Sequence, residues 1–490
     1  MTFNSWQYLL FLPVVVLVYF LLPHKIRWIW LLAVSYFFYM MWNPWLAFLI
    51  LGTTLVAYGA ALLMRKDPKR RKLYLIITLV VCLGTLFTFK YLTFFLNSIV
   101  DLINLFPIHL EHPSIDIILP VGISFYTFQT LSYVIDVYRG DFEPEKHLGY
   151  FALYVSFFPQ LIAGPIEKPS TLLPQLHAHH KVSLEDILVG LRHIIFGFLL
   201  KVAIADIVAI YVNRVFASLS DAGSIEVLVA AILFCVQIYC DFNGYSEIAI
   251  GSARLMGIKL TRNFDDPYMS CTVSELFRRW HISLQRWFRD YVYIPMGGNK
   301  KGRVRQAFNT LVVFALCGLW HGANWTFVLW GLYAGLCVGL ESLTILPWAK
   351  KKRAEGINVF KGWFGWVCRI GVWLLWIPAV IFFRSQDIQQ VGTAFVRLFS
   401  GMPASPNVIL QFDVSSLIYV ILAVAVMELA YHYVYRGPKR CDDINLNQNL
   451  SLSIVSKQTI IAVAAIVLIA GAWIFLLVNK DLSSFAYFQF

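Results

Sequence analysis

The stretch RKDPKRRKLYLIITLVVCLGTLFTFKYLTFFLNSIV, Arg65 to Val100, sets the fold: a basic octapeptide holding six Lys and Arg residues gives way at Leu73 to an apolar run of 28 residues. A bilayer core about 30 Å thick needs only about 20 apolar residues in a helix, so this run spans it with length to spare. The same alternation of short basic loops and long apolar runs continues along the 490-residue chain, which is 59% hydrophobic and 14% charged with a mean hydropathy of +0.67. Soluble domains carry roughly 25% charged residues, so this polar surface cannot cover a globule in water, and a soluble enzyme is excluded. The 79 aromatic residues (39 Phe, 24 Tyr, 16 Trp) exclude a disordered chain and suit membrane interfaces. The runs are far longer than the roughly ten alternating residues of a barrel strand. An all-α polytopic membrane protein follows.

The net charge of +12 reports topology. A nucleic-acid partner would need the basic residues on one exposed face, whereas here they fall in short loops between apolar runs. Loops 24–27, 65–72, 254–305, 350–361 and 436–457 hold 28 of the 40 Lys and Arg residues. The alternate set, 1–5, 43–44, 101–116, 213–224, 384–414 and 479–490, holds four: Arg214, Arg384, Arg397 and Lys480. This bias assigns the first set to the cytoplasm. Spans then fall near 6–22, 28–42, 45–64, 73–100, 117–138, 187–212, 225–250, two within 308–346, 364–383, 415–435 and 459–478. That makes twelve crossings in one integral membrane domain, 1–490, with a cytoplasmic basic loop 254–305, an outer tail 479–490 and both termini outside. The run 150–163, followed by GPIEKP, would invert every later loop if it crossed, so it reads as re-entrant or surface-lying, with its freed backbone groups satisfied by protein. The first run has no small-residue cleavage pattern after it and reads as a retained span. The eight cysteines form no CxxC pair and read as reduced packing residues.

Ionisable groups inside a bilayer cost about 2.5 to 3.5 kcal/mol each on insertion scales and face a cavity or a partner. Three clusters break the apolar background: QTLSYVID (129–136), CDFNGYSE (240–247) and GLWHGANW (318–325). Helix-to-helix hydrogen bonding accounts for such groups in general. His321, however, lies at the junction of two spans among Trp320, Gly322, Asn324 and Trp325, where small residues admit a substrate and aromatic rings wall it. A second histidine, His281, lies in SELFRRWHISLQRWFRDYVYIPMGGNKKG (274–302). There Phe277, Trp280, His281, Leu284, Trp287 and Phe288 recur at helical spacing, the pattern of an interfacial helix lying on headgroups. The four arginines Arg278, Arg279, Arg286 and Arg289 beside Gly297, Gly298, Lys300 and Lys301 equally suit the phosphates of coenzyme A or an acidic acyl-carrier protein.

Other chemistries lack their marks, with no GxSxG, HExxH, Walker A or GxGxxG sequence. His177, His179 and His180 in QLHAHHKV have no obvious carboxylate or thiol set beside them and read as a solvated connector, so no metal is assigned.

On LPVGISFYTFQTLSYVIDVYRG (119–140), FFPQLIAGPIEKP (157–169), QIYCDFNGYSEIAIG (237–251), the RRWHISL segment within 263–302 and CGLWHGANWTFVLWGLY (317–333), the sequence resembles the membrane-bound O-acyltransferases. The likeness is to their bacterial alginate O-acetylation branch, related to the teichoic acid D-alanyl transfer membrane protein. Residues 1–345 follow the family's order, with core motifs in 117–345, and the closing FAYFQF (485–490) looks like this branch's ending. The resemblance implies a ring of about twelve helices, with re-entrant and interfacial segments, around a central funnel in the bacterial cytoplasmic membrane. It places the family's invariant histidine on His321 and its second on His281. It further implies transfer of an acyl group, most simply acetyl, from a cytosolic thioester donor such as acetyl-CoA or acyl carrier protein to hydroxyls of an envelope polysaccharide. An extracytoplasmic transferase is the implied partner, and no cofactor is bound. On this reading His321 is the general base, Asn324 or a backbone amide meets the oxyanion, Asp241, Asn243, Glu247 and Trp320 line the channel, Arg278, Arg279 and Trp280 dock the donor, and Tyr487 is an acyl-shuttle candidate. Two alternatives stay open: an ion-coupled transporter or flippase routed through Asp241, Glu247 and Lys201, and a lipid O-acyltransferase of the same superfamily.

Overall fold

The computed structural model describes residues 1–115, 117–403, 422, 424–427, 429 and 465–472. Its helices are α1 (Trp6–Leu21), α2 (His24–Met40), α3 (Ala47–Lys66), α4 (Arg71–Leu86), α5 (Leu92–Ile103), α6 (Ile123–Arg139), α7 (Leu148–Ser156), α8 (Phe158–Leu161), α9 (Pro169–His177), α10 (Leu184–Phe198), α11 (Asp206–Ala217), α12 (Ser224–Arg254), α13 (Val273–Arg279), α14 (Ile282–Phe288), α15 (Arg303–His321), α16 (Trp325–Leu343), α17 (Ile345–Ala354), α18 (Gly362–Arg384) and α19 (Ile388–Phe399). No strand occurs among the described residues. Among the described residues six helical stretches, Pro44–Lys66, Pro68–Ile103, Leu184–Ala217, Ser224–Arg254, Trp325–Ala354 and Gly362–Arg384, are long and apolar enough to cross a bilayer, and the chain is a multi-pass membrane protein. The expected spans at 415–435 and 459–478 lie mostly outside the described residues.

The chain divides into two units, the first comprising residue 1, 17–179 and 265–366, the second 2–16, 180–264 and 367–490. In the first, α3 packs on α4, α6 and α7, α2 on α7, and α15 folds back on α16. That hairpin is tight because glycines let the backbones touch. A Cβ at Gly318 would strike the Phe327 carbonyl, and one at Gly331 the Phe314 carbonyl. Between α4 and α5 the helix widens into a π turn, Phe87–Tyr91.

Run 150–163, read as re-entrant or surface-lying, is not one continuous helix. Helix α7 stops at Phe157, whose ψ of 111° is extended, and a single turn, α8, follows. Its freed groups meet protein. The Phe158 N–H donates to Ser35 Oγ (3.1 Å), that of Ile166 to Ser283 Oγ (3.1 Å) and that of Glu167 to Gln129 Oε1 (2.9 Å). The Tyr154 carbonyl accepts from the Gln129 and Gln160 side-chain amides, while its hydroxyl donates to the Glu167 carbonyl at 2.9 Å. Satisfied polar groups of this kind let irregular backbone persist at membrane depth. They also explain Gln129 of the first polar cluster as a tie.

In the second unit α10 and α11, joined by a π turn over Leu199–Ala205, pack on α12. Gly190 and Gly197 of α10 meet Gly251 and Gly244 of the antiparallel α12. A Cβ at Gly197 would lie 2.7 Å from the Gly244 carbonyl oxygen, and one at Gly190 2.9 Å from that of Gly251. This small-residue seam draws the two backbones together, as in other membrane helix pairs.

Candidate active site

Helix α15 ends on the histidine that sequence singled out. Gly322 leaves the helix in an extended conformation (φ −158°, ψ 150°), and Asn324 caps α16, its side-chain oxygen accepting from the Thr326 N–H at 3.0 Å. The motif WHGANW is therefore a helix-stop, helix-start turn with His321 at its tip. Asn324 acts first as an N-cap, the ordinary role of Asn ahead of an apolar helix. Gly322, read as a small residue that admits substrate, makes room for Phe327, whose ring a Cβ there would strike.

The two histidines come together on one indole. The Trp320 ring centroid lies 5.1 Å from that of His321 and 5.9 Å from that of His281, both in edge-on geometry. Phe125 of α6 runs nearly parallel to His281 (6.2 Å, 19°) and meets Trp320 at 5.2 Å, while Trp330 stands perpendicular to His321 at 5.1 Å. Both imidazoles are buried, His281 at 1% and His321 at 8% exposure. His281 has φ of +45°, a left-handed conformation that among the described non-glycine residues only Asp266 shares. A bulky side chain held there is strained, and such strain gathers at functional sites.

That residue also corrects the reading of the basic loop as one interfacial helix. The backbone turns extended at Trp280 and left-handed at His281, splitting the stripe into α13 and α14. Its apolar residues are buried in protein. Trp287 stacks on Phe128 at 3.6 Å with rings 6° apart, and its indole N–H donates to the Phe128 carbonyl and Ser132 Oγ, both at 3.1 Å. Phe277 packs edge-on against Phe314 at 4.6 Å. Helical spacing registered apolarity correctly but cannot distinguish a lipid face from a protein face.

The loop is tied to the site's walls by charge. Tyr291 donates to Asp136 Oδ1 at 2.8 Å, which accounts for the acid of the first polar cluster, and Lys168 of GPIEKP pairs with Asp290 at 2.7 Å. Burial alone would raise the Asp290 carboxyl, yet hydrogen bonds and charge from Arg289 and Lys168 hold it below its usual value. Of the donor-docking candidates, Arg279 pairs with Glu275 at 2.7 Å, Trp280 is buried beside Tyr268, and Arg278 is exposed. Glu341 of α16 anchors the start of α13, accepting from the N–H groups of Val273 (2.6 Å) and Ser274 (2.8 Å). His177, for which sequence found no carboxylate, meets Glu145 at 2.8 Å.

Lys90 is the site residue that the sequence reading passed over. From the π turn its ammonium donates to the carbonyls of Trp320 (2.5 Å) and His321 (3.2 Å) and to Ser124 Oγ (3.2 Å). A lone lysine deep in an apolar run is a signal for function, diluted here by the hydropathy of its neighbours.

The remaining channel candidates belong to the second unit. Lys201 lies 2.6 Å from both Asp206 and Asp241, all three side chains at most 3% exposed. Glu247 meets His193 at 2.6 Å, and Asn243 is buried. Sequence flagged Lys201, Asp241 and Glu247 but missed Asp206 and His193. Tyr487 lies outside the described residues.

Comparison with known proteins places these motifs. Residues 146–377, which include both histidines, match the membrane-bound O-acyltransferase family. The chain is 33% identical to a probable alginate O-acetylase AlgI of Pseudomonas putida over the full length of both. It is 34% identical to a peptidoglycan O-acetyltransferase of Helicobacter pylori over 68% of each chain. It is 29% identical to a teichoic acid D-alanyltransferase of Bacillus subtilis over 46% of this chain and 59% of that one. With two buried histidines on one tryptophan inside the matched segment, and that likeness running from end to end, the chain belongs to the membrane-bound O-acyltransferase family and is an O-acyltransferase.

Proposed function

We propose that the protein moves an acyl group, most simply acetyl, from a cytosolic thioester to hydroxyls of an extracytoplasmic cell-envelope polysaccharide, from a site in the bacterial cytoplasmic membrane. The observation that carries the reading is the convergence of His321 and His281 on Trp320. Relatives named for alginate, peptidoglycan and teichoic acid point to an envelope polymer as acceptor. The charge bias of the loops supports a cytoplasmic donor side with both termini outside.

In the proposed step the imidazole of His321 takes the acceptor hydroxyl proton while the oxygen attacks the thioester carbonyl. The tetrahedral oxyanion collapses, the C–S bond breaks, and the thiolate recovers the proton from the imidazolium. General-base assistance of this kind contributes about 10²- to 10⁴-fold. His281, beside the same indole, orients the donor or the second proton transfer. The cap engages only the side-chain oxygen of Asn324, and the oxyanion is met by N–H donors, the Asn324 side-chain amide or a backbone amide. The donor, acetyl-CoA or an acyl carrier protein, docks at the exposed Arg278 and its neighbours, and no cofactor is required. On this route the hydroxyl that His321 deprotonates is the phenol of Tyr487, more acidic than a sugar hydroxyl; the resulting tyrosyl ester gives its acyl group to an extracytoplasmic transferase and regains the phenol proton, and the transferase delivers the group to the polymer hydroxyl.

The test is His321→Ala. At unchanged membrane abundance it should lower envelope acetylation by about two orders of magnitude or more, with His281→Ala impaired less. Near-normal acetylation by the His321 variant removes this histidine from the chemistry. Purified protein that moves labelled acetyl groups from acetyl-CoA without an ion gradient argues against the transporter alternative, and label recovered in lipid instead of polymer would select the lipid acyltransferase.

A further inference from the structure

The ammonium of Lys90 is out of place by composition and complete in its hydrogen bonding. It has three N–H groups and three acceptors: the Trp320 and His321 carbonyls and the Ser124 hydroxyl oxygen. Among the described residues none of these acceptors is a carboxylate, so the lysine serves the backbone and not a counter-ion.

The geometry explains what it serves. The carbonyls of Trp320 and His321 are the last two of α15 and are among the groups that a helix leaves without intrahelical donors. A cation there offsets both the missing hydrogen bonds and the negative end of the helix dipole. Ser124 lies in the first turn of α6, whose next residue, Phe125, covers His281 and meets Trp320. One side chain therefore joins the helix that ends in His321 to the helix that walls His281. The π turn is what delivers it. Buried residues recur every fourth position along α4, at Thr78, Cys82 and Leu86, and then resume at Tyr91, five residues on. Lys90 sits within that one-residue slip, and such π turns are frequent at functional sites.

We propose that Lys90 is a positioning residue for acyl transfer, clamping the carbonyl end of α15 against α6 so that the His321 imidazole keeps its reactive orientation beside Trp320. The proposal rests on His321 as the catalytic base. Misplacement of a catalytic group by about 1 Å can cost about 10²-fold in rate, so Lys90→Met should lower kcat for acetyl transfer by about that factor. The KM for acetyl-CoA should stay within about twofold, because the donor-docking arginines are elsewhere. Lys90→Arg, which keeps the cation and its N–H donors, should restore most of the rate.

The experiment compares full-length wild type, Lys90→Met, Lys90→Arg and His321→Ala in the same membranes with labelled acetyl-CoA, each normalised to folded protein by fluorescence-detected gel filtration. A second readout needs no turnover: carbethoxylation of His321 by diethylpyrocarbonate, followed by peptide mass spectrometry, should quicken several-fold in Lys90→Met as the helix end loosens, and stay near wild type in Lys90→Arg. An inactive His321→Ala beside a Lys90→Met protein with unchanged kcat and unchanged His321 labelling overturns the proposal alone. An active His321→Ala overturns the base assignment, and the labelling result then still reports whether Lys90 holds the histidine. If Lys90→Met loses only abundance, with normal kcat per folded molecule, Lys90 is a folding residue and the proposal fails.

Discussion

Replacing Lys201 with methionine separates scaffold from pathway in the second unit. The lysine and its two carboxylate partners are buried, with N–O distances of 2.6 Å to each. At that separation and an effective dielectric of about 20, each attraction is worth about 6 kcal/mol before desolvation and carboxylate repulsion are subtracted. Those opposing terms are large, and removing one partner from a buried ion network costs about 3 to 5 kcal/mol. Lys201→Met retains the aliphatic stem and deletes the cation that both acids share, so the full cost applies. In a domain of 150 to 250 residues 1 kcal/mol moves a melting midpoint by about 2 to 4 °C, and less in a longer chain. The midpoint of heat-induced aggregation in mild detergent should therefore fall by about 5 to 10 °C. Asp206→Asn alone should cost less, since Asp241 remains on the lysine. The triple variant Lys201→Met, Asp206→Leu, Asp241→Leu should recover part of the loss, because apolar groups of similar volume replace buried ion networks at little cost. A Lys201→Met protein melting within about 2 °C of wild type, against the several degrees required, refutes the claim that this network holds α10, α11 and α12 together. A stable variant that has lost acetyl transfer would move Lys201 from scaffold to pathway and revive an ion-coupled reading.

Three further outcomes are expected. Thiols engineered at positions 70 and 355 should resist an impermeant reagent in intact cells while one at 405 reacts, and the reverse pattern inverts the topology. Raised salt should weaken donor use by the wild type, and Arg278 and Arg279 changed together to Gln should raise the donor KM by several-fold and flatten its salt dependence, because fewer charges remain to be screened. Most of that change should come from exposed Arg278, since Arg279 already holds Glu275; lower abundance with unchanged KM would make the pair a structural or lipid contact. Tyr487→Phe keeps the ring and removes the oxygen, so it should block envelope acetylation while leaving abundance intact, and normal acetylation would make Tyr487 an anchor only.

The helices were legible because lipid imposes a simple rule on composition. The run read as 225–250 is the middle of Ser224–Arg254, the pair read within 308–346 is α15 and α16, and the one apolar run denied a crossing is the one that breaks at Phe157. His321 was legible as a candidate because a histidine at a junction of two spans stands out from its apolar background. What stayed hidden depends on direction and not on composition. No periodicity announces a left-handed residue, so the break at His281 was invisible and two short helices were read as one. Partners distant in sequence were hidden for the same reason: Lys90 and His321 are 231 residues apart. Asn324 was read only for its chemistry, although Asn immediately before an apolar helical run also carries the signature of a cap.

The close approach of α15 and α16 has a mechanical consequence. A hairpin whose two backbones meet at Gly318 and Gly331, and whose tip is gripped by an ammonium, has no slack along its axis. Its histidine is a fixed post. A carrier that rocks between two faces of a membrane takes its binding site through alternate exposures, with one helix bundle swinging against another. In the reaction proposed above, the reacting partners would travel to an imidazole that stays in place, and the acyl group would change hands at one stationary point, without the protein opening first to one side and then to the other.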